Sequence, residues 1–298
     1  KKEKMLLLKE RPWGVILFKR NIYSLKQTQR LILQIKKYSK SKNFPILIDE
    51  EGSTVSRLKN IFNHHLNANY FGKVFEKNKK SAIFIYKNYL KSLCNLLKII
   101  GVNTNTIPVL DVLRKNTSKI IGSRSFSHNK EIVKILGDIT VRECQKHKII
   151  SVIKHIPGHG CATQDSHIFL PKVNLSEKNL NLIDFFPFKS NSAKLAMTAH
   201  ILFSKIDNKN VSTFSKKIIN QIIRKKIGFK GILMSDDISM KALKYDLVTN
   251  AKKALEAGCN LVLYCEGKIE DNLKLIKSVP YIDKFTAKKT SEIYKILR

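Results

Sequence analysis

The stretch "IISVIKHIPGHGCATQDSH" runs from Ile149 to His167, and its first twelve residues decide the kind of fold. Ile149 to Ile153 is an unbroken apolar, β-branched run. That is the pattern of a strand buried on both faces, as in a parallel sheet covered by helices. The run then gives way to Lys154 and His155. Pro157, Gly158 and Gly160 follow and forbid a regular helix, because proline removes a backbone donor and glycine costs conformational entropy. A buried strand that ends in reactive side chains and a glycine-rich loop points to an α/β protein with its site beyond the strand C-termini.

The same pattern repeats outward along the chain. "GVILF" (Gly14 to Phe18), "PILI" (Pro45 to Ile48), "TIPVL" (Thr106 to Leu110), "KLAMT" (Lys194 to Thr198), "GILM" (Gly231 to Met234) and "NLVLY" (Asn260 to Tyr264) read as further strands. Amphipathic, helix-length segments lie between them at 25–40, 79–100, 130–146, 215–226 and 250–257. Alternating strands and helices predict a parallel sheet. Polar residues sit at the strand ends: Asp49, Asp111, Lys154 with His155, His200 and Asp236. No GxGxxG or GxxxxGK[ST] phosphate loop is present, which favours an αβ barrel over a nucleotide-binding doubly wound sheet. A barrel of about 250 residues would nearly fill the 298 of this chain. No linker, low-complexity tract or internal repeat interrupts it, so one domain, 1–298, is expected. Seven strands are one short of a TIM-type (β/α)8 barrel. The chain opens in a helix-like "KKEKMLLLKE". The expectation is an eighth strand preceding the region given, and a copy lacking its first strand with an unstable open edge.

Lys and Arg number 56 against 23 Asp and Glu, a formal net charge of +33. These basic residues are mostly Lys and spread along the whole chain, and no nucleic-acid motif accompanies them. A solvated lysine coat is expected, with no nucleic acid and no membrane as partner, and with some attraction for an acidic small substrate. No apolar run approaches the ~20 residues of a membrane helix, and no secretory signal is visible. The five cysteines are scattered and form no CxxC. A cytoplasmic location fits this usage. A monomer is compatible with the sequence, which leaves the oligomeric state open.

Three segments carry chemistry. In "QDSH", Asp165 and His167 are two residues apart and project to one side of an extended chain. Asp165 can then fix the imidazole tautomer, and an imidazole with a pKa near ~6.5 suits proton transfer at neutral pH. The same pair reads equally well as a capping aspartate and a surface histidine. In "MSDDISM", Asp236 and Asp237 point opposite ways, so one enters a cavity and the other is free to cap the next helix. In "DEEGSTVSRL", Asp49 ends a strand and Arg57 reaches back toward it, while "GSRSF" supplies Arg124. Carboxylates and arginines of this kind bind sugar hydroxyls and acidic groups. A zinc site from His155, His159, Asp165 and His167 is opposed by the glycine-rich spacing, which breaks any helical i,i+4 pair. No metal and no cofactor are expected.

With these residues placed, the sequence resembles the family 3 glycoside hydrolases, and among them the bacterial single-domain β-N-acetylhexosaminidases of cell-wall recycling. "GVILFKRNI", "IDEEGSTVSRL", "IPVLDV", "IGSRSF", "KHIPGHGCATQDSH", "AMTAHILFSKID" and "MSDDISM" carry the resemblance, in order, over essentially the whole chain. It implies that Asp236 is the nucleophile, His167 the acid/base and Asp165 its orienting partner. Asp49, Arg57, Arg124, Lys154 and His155 are implied as substrate contacts. The implied reaction is retaining hydrolysis of a terminal β-linked N-acetylglucosamine from muropeptides through a covalent glycosyl-enzyme. Substrate-assisted catalysis and a non-catalytic polyanion binder are the alternatives. Ser53, Thr54 and Ile156 depart from the family pattern without removing a functional group. The loop's glycines and its thin apolar cover predict mobility.

Overall fold

The structure is a computed structural model that describes residues 2–166 and 169–298. Its sheet consists of β1 (Val15–Leu17), β2 (Ile46–Ile48), β3 (Thr104–Asn105), β4 (Ile150–Ile156), β6 (Leu195–Thr198), β8 (Ile232–Asp237) and β9 (Leu261–Leu263). The spatial order is the chain order and every pairing is parallel. Two short strands, β5 (Lys172–Val173) and β7 (Leu202–Phe203), pair separately in the loops. The helices are α1 (Lys2–Met5), α2 (Leu25–Ser39), α3 (Ala68–Lys77), α4 (Lys79–Ile100), α5 (Lys130–Lys146), α6 (Glu177–Leu182), α7 (Leu247–Ala257), α8 (Ile269–Ser278) and α9 (Lys284–Leu297). The helix expected at 215–226 is a π-helix, Ile218–Lys226.

Six of the seven expected strands lie within a few residues of their predicted ends. The third is displaced. Its ladder is Thr104–Asn105, and beyond it only an isolated bridge joins Val109 to Lys154. Pro108 has no N–H to give, so a continuous ladder through "TIPVL" is interrupted there. The helices α3, α6, α8 and α9 were not foreseen. Several of the helices start at polar caps: Ser24 accepts from the Gln27 amide, Asn67 from Tyr70, Asn129 from Glu131 and Asp283 from Thr286. Gly101 ends α4 with φ +100°, a left-handed cap that glycine adopts without steric cost.

Both faces of the sheet are buried, with the period of two that a strand imposes. Ile150 and Val152 pack on one face with Leu47, Leu195, Met197, Ile232, Met234 and Leu261. Ile149 and Ile153 pack on the other, under the helices. The first cluster draws side chains from β2, β4, β6, β8 and β9, with Ile16 of β1 against it, so the sheet curls around a shared interior. Ile293 of α9 joins that cluster from below.

Among the described residues no ladder joins β1 to β9. The gap is spanned by side chains. Arg20 donates from Nη2 to the Cys265 carbonyl, Trp13 donates from Nε1 to Thr290 Oγ1 of α9 at 2.9 Å, and Lys2 pairs with Glu270 of α8. These contacts bridge the edge that the strand count left open. The architecture is thus a curled, parallel α/β sheet. No helix among the described residues is long and apolar enough to cross a membrane.

Candidate active site

The C-terminal ends of β2, β4 and β8 converge on one cluster of charged side chains. Asp49 follows β2 directly. Its Oδ2 accepts from Arg57 Nη2 at 2.8 Å, and its Oδ1 accepts from Thr106 Oγ1 at 2.5 Å. Lys154 of β4 reaches the same Oδ1 at 3.4 Å and bonds Thr106 at 2.7 Å. Burial disfavours the Asp49 charge, but Lys154, Arg57 and the Thr106 hydroxyl outweigh it and hold its carboxyl well below the usual range. Two residues on, Glu51 meets Arg124 twice, at 2.7 and 2.9 Å, and Lys154 at 2.5 Å. Burial again opposes the charge. Arg124 and Lys154 overcome it, and the Glu51 pKa falls to about 2.

His155 is held by Asp111, a fully buried carboxylate. Asp111 Oδ2 lies 2.7 Å from His155 Nδ1, and Oδ1 accepts from the His159 amide at 2.6 Å. Arg124 Nη2 approaches His155 Nε2 at 3.5 Å. An ionised carboxylate only accepts and a guanidinium only donates, so both contacts select the tautomer with its proton on Nδ1.

Asp236 and Asp237 end β8. Asp236 Oδ1 accepts from the Asp237 amide at 2.8 Å. Burial would raise its pKa. His155, His200, that amide and Lys154 together lower it, so the carboxyl is ionised at neutral pH. Asp237 turns to Ser239 and to the Cys265 amide, and burial raises its pKa. His200, buried below its ordinary pKa, sits between Thr213 Oγ1 (2.7 Å) and the Asp237 carbonyl (3.0 Å).

The loop after β4 departs from expectation at its base. Residues 157–160 are buried, not loosely covered. A Cβ on Gly160 would fall onto the Val112 carbonyl, and one on Gly158 would press on Asp184. Thr117 Oγ1 donates to the Gly160 carbonyl at 2.5 Å, and the Ser118 amide to Ala162 at 2.8 Å. Arg114 pairs with the buried Asp184 beneath. These glycines serve close approach, so mobility is not a property of the loop's base. His159 is buried, 3.2 Å from Ser166 Oγ, and burial drops its pKa to about 4. Asp165 accepts from the Phe169 amide through its carbonyl at 2.9 Å. His167 lies outside the described residues, and with it the expected Asp165–His167 dyad.

Asp49, Arg57, Arg124, Lys154, His155 and Asp236 are therefore brought together, as the strand-end reading expected. Among the described residues no group of three or more His, Cys, Asp or Glu is disposed to hold a metal ion. Glu51 and Thr106 were missed. The signal for Glu51 was available, because Asp49 and Glu51 are i,i+2 on an extended chain and share a side. Glu50, between them, turns away and accepts the Ser56 hydroxyl and the Arg57 and Leu58 amides, which pins the Arg57 loop.

Residues 1–290 match the model of the glycosyl hydrolase family 3 N-terminal domain. The chain is 34% identical over 269 residues to a β-hexosaminidase of Neisseria meningitidis serogroup A strain Z2491, covering 88% of this chain and 74% of that protein. It is 30% identical over 291 residues to the β-hexosaminidase of Psychromonas ingrahamii, with 94% and 84% covered. The structure of NagZ from Neisseria gonorrhoeae in complex with N-trifluoroacetyl-D-glucosamine superposes with a TM-score of 0.88 at 29% identity, over 98% of this chain and 86% of that one. With a strand-end acid cluster of this kind and a family match over nearly its whole length, the chain belongs to glycosyl hydrolase family 3, among its β-hexosaminidases.

Proposed function

We propose that the protein is a retaining β-N-acetylglucosaminidase that releases terminal N-acetylglucosamine from muropeptides in the cytoplasm, built as one (β/α)8-type catalytic domain across residues 1–298. The observation that carries the reading is the place of Asp236 at the C-terminal end of β8, its Oδ1 held by the Asp237 amide at 2.8 Å, with His155, His200 and Lys154 near enough to favour its charged form. In this reading Asp236 attacks the anomeric carbon as the glycosidic C–O bond breaks. His167, oriented by Asp165, gives its proton to the departing oxygen. A glycosyl ester forms on Asp236. His167 then takes a proton from water, which attacks the same carbon and releases the sugar with net retention. Asp49, Arg57, Arg124, Lys154 and His155 hold the ring hydroxyls and acetamide. The acidic lactyl and peptide groups of a muropeptide lie outward, toward the lysine-rich surface.

The test is inactivation with a 5-fluoro N-acetylglucosaminyl fluoride, followed by peptide mass spectrometry. An adduct on Asp236 is expected. His167→Ala is expected to lose far more rate on a disaccharide than on an aryl glycoside with a low-pKa leaving group. Azide is expected to restore turnover of the aryl substrate and give the β-glycosyl azide. Strong inhibition by a thiazoline with no adduct under any condition would replace this route with catalysis by the substrate's own acetamide.

A further inference from the structure

We infer that Glu51 is a positioning residue that fixes Arg124 and Lys154 over the sugar pocket and, by pairing with both, leaves neither free for an anionic group, so that the pocket favours an uncharged terminal sugar. The inference rests on the glycosidase reading above and deepens it.

The geometry is a string of alternating charge: Arg124, Glu51, Lys154, Asp49, Arg57. Arg124 contacts Glu51 at 2.7 Å, Glu51 contacts Lys154 at 2.5 Å, Lys154 contacts Asp49 at 3.4 Å, and Asp49 contacts Arg57 at 2.8 Å. The side chains of Glu51, Arg124 and Lys154 are only 5%, 9% and 3% exposed. Water therefore screens these charges weakly, and each is matched by the protein instead. Among the described residues Glu51 is the one carboxylate in an ion pair with both Arg124 and Lys154. The fork of Arg124 lies on both its oxygens, which fixes the guanidinium plane as well as its position.

Two consequences follow. First, the two cations are placed before any sugar arrives, so a hydroxyl meets donors that need no rearrangement. Second, no cation on the string lacks a carboxylate. A phosphate or carboxylate on the incoming sugar would find no free positive partner and would face Glu51, Asp49 and Asp236 in a poorly screened site. A neutral sugar avoids this, because each hydroxyl can donate to a carboxylate and accept from a cation. The string holds three cations and two carboxylates, so it carries little of the chain's net charge of +33.

The experiment compares the wild type, Glu51→Gln and Glu51→Asp on 4-nitrophenyl N-acetyl-β-D-glucosaminide, with glucuronate, glucose and inorganic phosphate as inhibitors at constant ionic strength. For Glu51→Gln, KM should rise by about tenfold or more, with a smaller change in kcat, since buried Arg124 loses its charged partner and Lys154 loses the nearer of its two. That variant should also gain competitive inhibition by glucuronate and phosphate. Glu51→Asp keeps the charge but shortens the reach, so its KM should rise without any gain of anion inhibition. The wild type should bind glucuronate no better than glucose. An unchanged KM in Glu51→Gln, no gain of anion inhibition in it, or preferential glucuronate binding by the wild type would each overturn the inference. Should Glu51→Gln fail to fold, the wild-type and Glu51→Asp arms still decide. Absence of any wild-type turnover would instead sink the functional reading, and calorimetry with N-acetylglucosamine would then test Glu51 alone.

Discussion

Asp236 and Asp237 are consecutive in β8, yet their carboxylates serve different sides of the strand end. Asp237 Oδ1 accepts from the Ser239 amide at 3.0 Å and from the Cys265 amide at 3.2 Å, and the Ser239 hydroxyl lies 2.8 Å from both its oxygens. It thereby ties the turn after β8 to the end of β9. Asp236 takes no part in that tie, and the nearby His155 and His200 favour its charged form. Alternation along an extended chain is the cause: once one carboxylate bonds the turn, the other must point into the site.

Asp236→Ala is therefore expected to lower the rate on an aryl N-acetylglucosaminide by on the order of 10⁴ or more, with a near-normal melting temperature. Asp237→Ala should do the reverse, lowering stability by about 1–3 kcal/mol through two stranded amides while retaining measurable turnover. A dead Asp237→Ala beside an active Asp236→Ala would exchange the two roles.

Lys154 and Arg57 both contact Asp49 but differ in burial, 3% against 27% exposed side chain. Lys154→Ala leaves Asp49 and Glu51 facing each other without their shared cation, so it should cost about 3–5 kcal/mol of stability as well as raising KM. Arg57→Ala should raise KM at a cost of about 1 kcal/mol or less, because its pair is partly solvated. Urea unfolding alongside Michaelis–Menten kinetics separates the two. Equal losses of stability would count against the charge string as described.

Acid should weaken the fold in two stages. His159 is held neutral by burial, with a pKa of about 4 against an ordinary 6.5. Above pH ~6.5 it costs nothing. As pH falls from there toward 4, the unfolded chain takes the proton first, and stability drops by on the order of 3 kcal/mol. His200, also lowered, adds to the same window. Asp49, Glu51, Asp111 and Asp236 have lowered pKa values, so their contribution is lost only below pH ~4. Melting temperature against pH should therefore fall less steeply between 6.5 and 4 in His159→Asn than in the wild type. Identical slopes would contradict the assignment.

Gly160→Ala should be damaging although it adds one methyl group. The new Cβ would meet the Val112 carbonyl, which is backbone and cannot swing aside. The loop base must shift, at about 1–3 kcal/mol or more, and it carries Asp165 with it. Activity should fall further than stability accounts for at the assay temperature. A variant with wild-type kinetics would show that the base is not clamped.

Much of this protein is legible in its local pattern. The runs Ile149–Ile153 and Gly231–Met234 declare buried strands because uninterrupted β-branched and apolar residues suit a sheet covered on both faces. Asp49, Lys154, His155 and Asp236 declare a site because each breaks such a run at its C-terminal end. The family resemblance, carried by seven motifs, was borne out by the match over residues 1–290. What local pattern misjudged was the third strand, where Pro108 interrupts the ladder, and the glycine loop, where small residues signalled close packing as well as freedom.

Only the tertiary structure decided who meets whom. Glu51 finds Arg124 across 73 residues and Lys154 across the β2–β4 ends, a pairing set by the order of strands in the sheet. Asp111 claims His155 from 44 residues away. α9 places Ile293 in the sheet's interior, and Arg20 reaches the Cys265 carbonyl across the gap between β1 and β9. Hydrophobic period and chain breakers act over a few residues, so the sequence by itself determined the strands and the places where they end. Charge pairing in a buried site depends on which ends lie side by side, and only the curl of the sheet brings them together.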